Sequence, residues 1–359
     1  MGRFEVNMIG LIMPCNLKYA PYAQYYIDAL KNANIEFEVI TWNKKCLDED
    51  CDHVFQYSAE DSNRLRILWG HYRFSRFVKR IIKRKNYSEL VIFTIAPLFF
   101  LTSVLSKKYN GHFVSDIRDA SPFVKHFPSW FKRITSKAKR IVVSSPNFGE
   151  WIPHQVNMCH NCSLDVLYEH RNDTIERNTE LPIKIACAGS MNEGDINVRF
   201  IDAAHNSDLF QHCYIGNDSN EKQKIINHVL SEQYTNVEFF GTYNKEDIVS
   251  IYHNKADFVN IIRKESKVNA DALPNKLYDA VVSGKPVIVL EHNTAIVKLV
   301  NKYSLGIVIS EEELDKAEEQ ILPKLINYSY DEYVSGRIRF IDDVITEQIR
   351  FNDIIKELR

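Results

Sequence analysis

Residues 269–290, NADALPNKLYDAVVSGKPVIVL, are the stretch of this 359-residue chain that says most about its fold. A Pro-Asn step opens an amphipathic helix, a Ser-Gly pair ends it, and a Lys-Pro step leads into an apolar, β-branched run. The pattern predicts a loop, a helix, a turn and a buried strand. Free N–H groups at the helix start suit a phosphate, and Lys276 adds a full positive charge there. Asp279 follows about one turn later, where a carboxylate can accept hydrogen bonds from a ribose diol.

Outward from this stretch, strand patterns alternate with helix patterns along most of the chain. The predicted strands are VNMIGLIMPC, FEVITW, LVIFTIA, HFVSDIRD, RIVVSS, IKIACAGS, HCYIGND, NVEFFG and FVNII. Such alternation is typical of an α/β protein with parallel strands and right-handed crossovers. The polar stretch 170–182 interrupts the pattern and is the best linker candidate. We therefore expect a first domain over 1–168, a linker over 169–182, a second domain over 183–335 and a terminal helix over 336–359.

Composition is that of a soluble globular protein, but charge is distributed unevenly. The net charge is -2, while residues 1–165 contain 23 Lys and Arg against 15 Asp and Glu. The basic half should face an anionic partner. Seven scattered cysteines without a secretory signal ahead of them indicate reduced thiols and a cytoplasmic location. A single CxxC at Cys159 and Cys162, with His154 nearby, suggests zinc only weakly, and no metal is expected.

Two apolar or basic stretches bear on membrane association. Residues 90–105 are too short to span a bilayer and instead predict a strand followed by a helix. Residues 64–85 hold nine Lys and Arg and no acid, and Phe74, Phe77, Val78, Ile81 and Ile82 share one helical face. We expect this helix to lie on an anionic membrane surface; a helix packed on the sheet with a solvated basic face is the simpler interpretation, and the two are compatible. The expected membrane-contacting cations are Arg73, Arg76, Lys79, Arg80 and Lys83.

The stretch that opens this section resembles the donor-site signature of GT-B glycosyltransferases, especially glycosyltransferase family 4 of the bacterial surface-polysaccharide type. PNKLY and GKPVIV match the family pattern, and Asp271 and Asp279 stand where the family carries two glutamates. The resemblance implies two Rossmann-like, doubly wound domains facing a cleft, with the C-terminal helix crossing back to the first domain. It implies a set of donor-binding residues comprising Gly189, Ser190, Thr242, Tyr243, Arg263, Asp271, Asn275, Lys276, Leu277 and Asp279.

Phosphate-binding cations depart from the family pattern. The family places an Arg and a Lys after the strand that corresponds to IACAGS, whereas this chain has MNEGDINVRF with only Arg199 in reach. The phosphate charge must then be met by Arg263, Lys264 and Lys276.

The segment VSDIRDASP in the first domain resembles the DxRDxxP element of family 4 enzymes. By this resemblance Asp116, Asp119 and the later His170 are the candidate catalytic residues. An aspartate here would act as general base if transfer inverts configuration and would orient the substrate if transfer retains it. A structural role is the alternative, in which Asp119 caps the following helix and pairs with Arg118.

Together these features predict a metal-independent, retaining glycosyltransferase of bacterial surface polysaccharide synthesis. Its co-substrate would be a nucleotide diphosphate-sugar, its acceptor a glycan or lipid-linked hydroxyl, and no further cofactor or nucleic acid is expected. The protein would be cytoplasmic and peripheral at the inner face of the plasma membrane. A GT-B-like nucleotide-sugar epimerase and a catalytically inactive nucleotide-sugar or glycan binding protein are the alternatives.

Overall fold

The computed structural model describes residues 8–59, 63–178, 180–191 and 193–358. Contacts divide the chain into two units, Met1–Asn161 with Thr346–Arg359, and Cys162–Ile345. Several positions named in the sequence predictions lie outside the described residues, namely Val6, Asn7, Thr179, Asn192 and Arg359.

The first unit is built on a parallel sheet of seven strands. The strands are β1 (Met8–Met13), β2 (Glu36–Asn43), β3 (His53–Gln56), β4 (Glu89–Phe93), β5 (Phe113–Ile117), β6 (Arg140–Val143) and β7 (Asn157–Met158). Their order is β3-β2-β1-β4-β5-β6-β7. Its helices are α1 (Tyr22–Asn32), α2 (Arg64–Lys85), α3 (Ile95–Lys107), α4 (Pro122–His126), α5 (Pro128–Thr135) and α6 (Pro146–Trp151), with a 3₁₀ turn over Leu17–Tyr19. The chain reverses its direction across the sheet between β1 and β4, where doubly wound sheets bind ligands.

The second unit repeats this plan with six parallel strands. The strands are β8 (Ile183–Ala188), β9 (Phe210–Ile215), β10 (Val237–Phe240), β11 (Phe258–Asn260), β12 (Val287–Leu290) and β13 (Gly306–Ile309), in the order β10-β9-β8-β11-β12-β13. The helices are α7 (Leu164–His170), α8 (Gly194–Ala203), α9 (Asn220–Glu232), α10 (Ile248–Lys255), α11 (Lys267–Asp271), α12 (Asn275–Val282), α13 (Thr294–Tyr303), α14 (Glu311–Leu314), α15 (Leu322–Ile326) and α16 (Tyr330–Lys356). A 3₁₀ turn covers Lys245–Asp247 and a π-helical segment covers Ala317–Ile321. The direction reverses at β8, which lies between β9 and β11.

The unit boundaries differ from those expected from the sequence. The first unit ends at Asn161 rather than at residue 168, because Leu167 of α7 is buried in the same core cluster as Leu277 of the second unit. The terminal helix α16 joins the first unit from Thr346 rather than from residue 336. Beyond that point Phe351 packs edge-on against Tyr26, with the ring centroids 4.8 Å apart. Among the described residues, no helix is long and apolar enough to cross a membrane.

The predicted helix, turn and strand over residues 274–290 are confirmed by α12 and β12. Pro274 immediately precedes the helix, and Gly284 ends it in the left-handed region at φ +67°. The N–H of Lys285 then donates to the carbonyl of Ala280 at 2.9 Å, which closes the last helical turn. All four residues of β12 are buried.

Arg337 of α16 holds the carboxyl end of α12 in place. Its guanidinium is buried and donates to the carbonyls of Val281 at 2.6 Å and Val282 at 3.3 Å. It also donates to the carbonyls of His170 and Arg171 at the end of α7. The carbonyls of Val281 and His170 also accept from the backbone N–H groups of Gly284 and Asp173. The Arg337 cation adds donors at the carboxyl ends of both helices and complements both helix dipoles.

Replacing Arg337 should destabilise the second unit. We expect Arg337→Met to cost about 3 kcal/mol, because it removes the side-chain donor to the buried carbonyl of Val282 and the charged hydrogen bonds to three further carbonyls, as measured by urea denaturation. Arg339→Met is the matched control on the same helix, since Arg339 is exposed, and it should change stability by about 0.5 kcal/mol or less. Equal effects of the two substitutions would contradict this role for Arg337.

Candidate active site

Lys276 fastens the first turn of α12 to the carboxyl end of β8. Its Nζ atom lies 3.1 Å from Cys187 Sγ and donates to the carbonyl of Ser190 at 3.3 Å. Gly189, between these two residues, has φ +96°, and a Cβ atom there would lie 3.8 Å from Lys276 Cε and 3.6 Å from Tyr243 Oη. An ammonium group, a glycine turn and a helix start therefore meet at the edge of the sheet where ligands bind.

The turn after β9 is pressed against the same glycine. A Cβ atom on Gly216 would lie 2.2 Å from the carbonyl oxygen of Gly189, so only glycine allows this approach. Lys222 of α9 holds this turn in place. Its buried ammonium group donates to the carbonyls of Gly216 at 2.8 Å and Phe240 at 2.9 Å. Lys222 thus ties together the carboxyl ends of β9 and β10, a role that the sequence analysis missed.

Asp279 is paired with a lysine from a distant part of the sequence. Its carboxylate is almost buried, with 7% of the residue exposed, and forms an ion pair with Lys245 from the 3₁₀ turn after β10. Burial raises the pKa of the Asp279 carboxyl, while the ammonium groups of Lys245 and Lys276 oppose that shift. Lys245 was not among the predicted site residues. The signal available in the sequence was its position as the first cation after the strand NVEFFG.

The acidic segment after β8 is occupied by structural contacts. Glu193 accepts from the N–H of Lys264 at 3.3 Å and from Asn269 Nδ2 at 3.1 Å. Arg199 forms ion pairs with Glu311 at 2.8 Å and Asp315 at 2.9 Å, so its guanidinium is committed to the α14 region. Lys276 is accordingly the cation that the structure places at the β8 turn.

The remaining predicted donor residues differ in their exposure. Thr242 and Asn275 are exposed, and Tyr243 is half-buried next to Gly189. Leu277 is fully buried in the core, so its side chain supports the helix and is not available to a ligand. Arg263 lies in the loop after β11 and its carbonyl accepts from His292 Nε2 at 2.6 Å, while Asp271 ends α11.

In the first unit, Asp116 is a buried partner of Arg118. Arg118 binds the carboxylate through two contacts, Nε to Oδ1 at 2.6 Å and Nη2 to Oδ2 at 2.8 Å, and Tyr26 donates to Oδ2 at 2.6 Å. Asp116 is 0% exposed. This buried pairing leaves Asp116 no surface through which to meet a substrate.

Asp119, by contrast, is exposed at the end of the same segment. The following helix α4 is capped by Ser121, whose side chain accepts from the N–H of Phe123 at 3.3 Å, and not by Asp119 as the alternative expected. Asp119 follows β5 at the carboxyl edge of the first unit's sheet. It is therefore the better placed of the two predicted catalytic aspartates for contact with a substrate.

His170 belongs to the second unit, where it ends α7. Its Nδ1 lies 2.8 Å from Asp173 Oδ2, and its side chain is 17% exposed. Asp173 fixes the orientation of the ring, and Nε2 lies 4.0 Å from Glu169 Oε2.

The apolar face of α2 is packed in the interior of the first unit. Phe74, Val78, Ile81 and Ile82 are buried, and Phe74 stacks on Trp42 with the ring centroids 6.1 Å apart. The predicted cations remain at the surface: Arg73, Arg76, Arg80 and Lys83 are exposed and Lys79 is partly exposed. This part of α2 is therefore a packed helix with a basic outer face, and its contact with a membrane stays a prediction.

Within the described residues, no group of three or more His, Cys, Asp or Glu side chains is arranged to hold a metal ion. The two cysteines of the CxxC segment fall in different units, Cys159 in the first and Cys162 in the second. Burial raises the pKa of the Cys159 thiol to about 11, which disfavours the thiolate that zinc requires.

No protein-family model and no curated protein matched the sequence. Solved structures match the fold over nearly the whole chain. Sucrose-phosphate synthase from Thermosynechococcus elongatus has a TM-score of 0.66 at 13% identity, covering 98% of this chain and 99% of that one. A trehalose-6-phosphate structure from E. coli bound with UDP-2-fluoro glucose has a TM-score of 0.67 at 9% identity, covering 98% and 99%.

WaaG, a glycosyltransferase involved in lipopolysaccharide biosynthesis, has a TM-score of 0.62 at 12% identity, covering 97% of this chain and 99% of that one. The chain has the GT-B fold. The predicted fold class, with two parallel sheets flanked by helices, is thereby confirmed.

Lys276 should dominate the affinity for a nucleoside diphosphate. We expect Lys276→Ala to weaken binding of the preferred nucleoside diphosphate by about 10- to 100-fold, the value of a charged hydrogen bond, as measured by calorimetric titration. Lys324→Ala is the control, because Lys324 pairs with Glu313 on α14 and should bind as the wild type does. Unchanged affinity in the Lys276 variant, with the fold intact by circular dichroism, would contradict the site.

Proposed function

We propose that this protein is a glycosyltransferase that moves a sugar from a nucleotide diphosphate-sugar to an acceptor hydroxyl. The observation that carries the proposal is the position of Lys276, whose ammonium group lies beside the glycine turn of β8 at the start of α12. Positive charge, backbone donors and glycine access occur there together, which is the chemistry that a diphosphate requires.

The donor would bind along this edge of the second unit. Lys276 and the first N–H groups of α12 would hold the diphosphate and stabilise the charge that develops as it departs. Asp279 would accept hydrogen bonds from the ribose diol. Lys245 already pairs with Asp279 and would keep that carboxylate ionised against its burial. Thr242, Tyr243 and Asn275 lie around the same turn and would contact the rest of the donor.

In the reaction, the bond between the anomeric carbon and the diphosphate oxygen breaks and a bond to the acceptor oxygen forms. We propose transfer with retention and without a metal ion, so the proton of the acceptor hydroxyl passes to the departing diphosphate. Asp119 would then orient the acceptor hydroxyl, and His170 would hydrogen-bond a sugar hydroxyl through Nε2.

For the acceptor we propose a glycan or lipid-linked hydroxyl in bacterial surface polysaccharide synthesis, at the cytoplasmic side of the plasma membrane. Two observations support this choice. The fold is shared with WaaG, a glycosyltransferase involved in lipopolysaccharide biosynthesis. The exposed cations of α2, among them Arg76, Arg80 and Lys83, suit an anionic membrane surface.

A donor screen tests the proposal directly. UDP-, GDP-, ADP- and dTDP-sugars are compared for stabilisation against heating, because a ligand that binds the folded protein stabilises it by mass action. Labelled sugar from the stabilising donor is then followed into a lipid extract of bacterial membranes, and the anomeric configuration of the product is read by NMR. Stabilisation by none of these donors would contradict the proposal, and an epimerised donor in the absence of acceptor would favour the epimerase instead.

Substitutions of Asp119 and Asp116 should have different effects, the first on turnover and the second on stability. We expect Asp119→Asn to lower turnover about 100-fold through misorientation of the acceptor, with donor affinity unchanged. Asp116→Asn should instead destabilise the first unit by about 3–5 kcal/mol, since it leaves Arg118 as an uncompensated buried charge. Full turnover in the Asp119 variant would exclude it from the acceptor site.

A further inference from the structure

An apolar groove lies on the first unit, apart from the residues assigned above to substrates. Eight side chains line it, all apolar or aromatic, and it encloses about 510 Å³; they are Leu65, Leu68, Trp69, Tyr72, Phe99, Phe100, Phe123 and Phe127. Trp69 stacks on Tyr72 with the ring centroids 5.2 Å apart, and Phe99 stacks on Phe123 at 4.4 Å. The aromatic contacts give the groove a defined wall.

The groove is open to solvent to a degree that is unusual for such residues. Leu65 is 77% exposed, Trp69 is 56% exposed and Phe127 is 48% exposed. A contiguous apolar patch of this kind on a protein surface marks an interaction site. Its position is also informative, because α2, α3 and α4 each follow a parallel strand and therefore begin at the carboxyl edge of the sheet. Asp119, two residues before the cap of α4, belongs to the same edge.

The charge of the helices that line the groove indicates what kind of partner binds there. Residues 64–85, 95–107 and 122–135, which provide the whole lining, contain thirteen Lys and Arg and no Asp or Glu. On α2 the row Leu65, Leu68, Tyr72 continues directly into Arg76, Lys79 and Lys83, at spacings of three and four residues along one helix face. One exposed face of α2 is thus apolar over its first turns and basic over its later turns.

We propose that this groove inserts into the hydrocarbon region of an anionic lipid bilayer, with Leu65 and Trp69 among the chains and the basic turns of α2 on the headgroups. Along α2 an apolar surface is followed by a basic one. A bilayer offers a partner for each, an apolar interior and negatively charged headgroups. A two-fold dimer through this face would bring together two copies of the helices over residues 64–85, 95–107 and 122–135, which carry no Asp or Glu, and their like charges would oppose it. The inference rests on the proposed membrane contact and adds the groove as the point of insertion.

Vesicle binding tests the insertion separately from the charge. Sedimentation is measured with vesicles of phosphatidylcholine alone and of phosphatidylcholine with phosphatidylglycerol, at low and high salt. We expect the double variant Leu65→Ser, Trp69→Ser to bind anionic vesicles roughly 10-fold or more weakly at both salt concentrations, through lost apolar burial. Leu230→Ser is the matched control, since Leu230 is 70% exposed on α9, and it should bind as the wild type does.

The double variant Arg76→Glu, Lys83→Glu should lose binding mainly at low salt, because exposed charges are screened as salt rises.

Lipids brominated in their acyl chains should quench the fluorescence of the bound wild type, and Trp69→Phe should remove most of that quenching. If the Leu65 and Trp69 variant binds vesicles as strongly as the wild type, and no quenching is seen, the groove is not the point of insertion and only the basic contact remains. If the protein forms a dimer without lipid, and these substitutions dissociate that dimer, the groove binds a second copy of the chain and the proposal is wrong. Donor affinity, measured on the same variants, should remain unchanged, so a failure of the glycosyltransferase proposal would appear separately.

Discussion

The candidate donor site depends on one contact, in which the ammonium group of Lys276 joins the start of α12 to the carboxyl end of β8. The contact requires a glycine turn at Gly189, which Gly216 must approach too closely for any side chain. It also requires that α12 be held in place at its other end, and Arg337 does so from α16 by binding the last carbonyls of the helix. The basic end of α12 is in this way positioned by contacts made along its full length.

The same region contains no Arg and Lys pair after β8 of the kind expected from the resemblance to glycosyltransferase family 4. Glu193 is used to hold the loop before α11, and Arg199 is used to hold α14. Under the proposal the positive charge comes from Lys276 of α12, while Lys245 from the turn after β10 pairs with Asp279. The acidic segment that looked unsuited to a phosphate site makes structural contacts, and the candidate site is composed of residues on other elements.

Local sequence signals predicted the two parallel sheets and the α12 unit because proline, glycine and buried β-branched runs act within a few residues. Pairings between distant residues were not accessible in this way. Lys245 and Asp279 are 34 residues apart, and no local pattern connects them. The pairing of Asp116 with Arg118 was within reach, since residues i and i+2 of an extended chain lie on the same side, but the sequence analysis considered an Arg118 pair only with the adjacent Asp119, as the structural alternative. On α2 the periodicity identified a genuine apolar face, and burial of Phe74 and Val78 shows that this face is the packed one.

The most direct measurement of the central claim is hydrogen exchange of the protein with and without the nucleoside diphosphate of its preferred donor. The account predicts slower amide exchange in two separate segments, the turn that follows β8 and the first turn of α12, with a smaller effect at the turn that carries Lys245. Protection confined to the first unit, or absent from the first turn of α12, would contradict it.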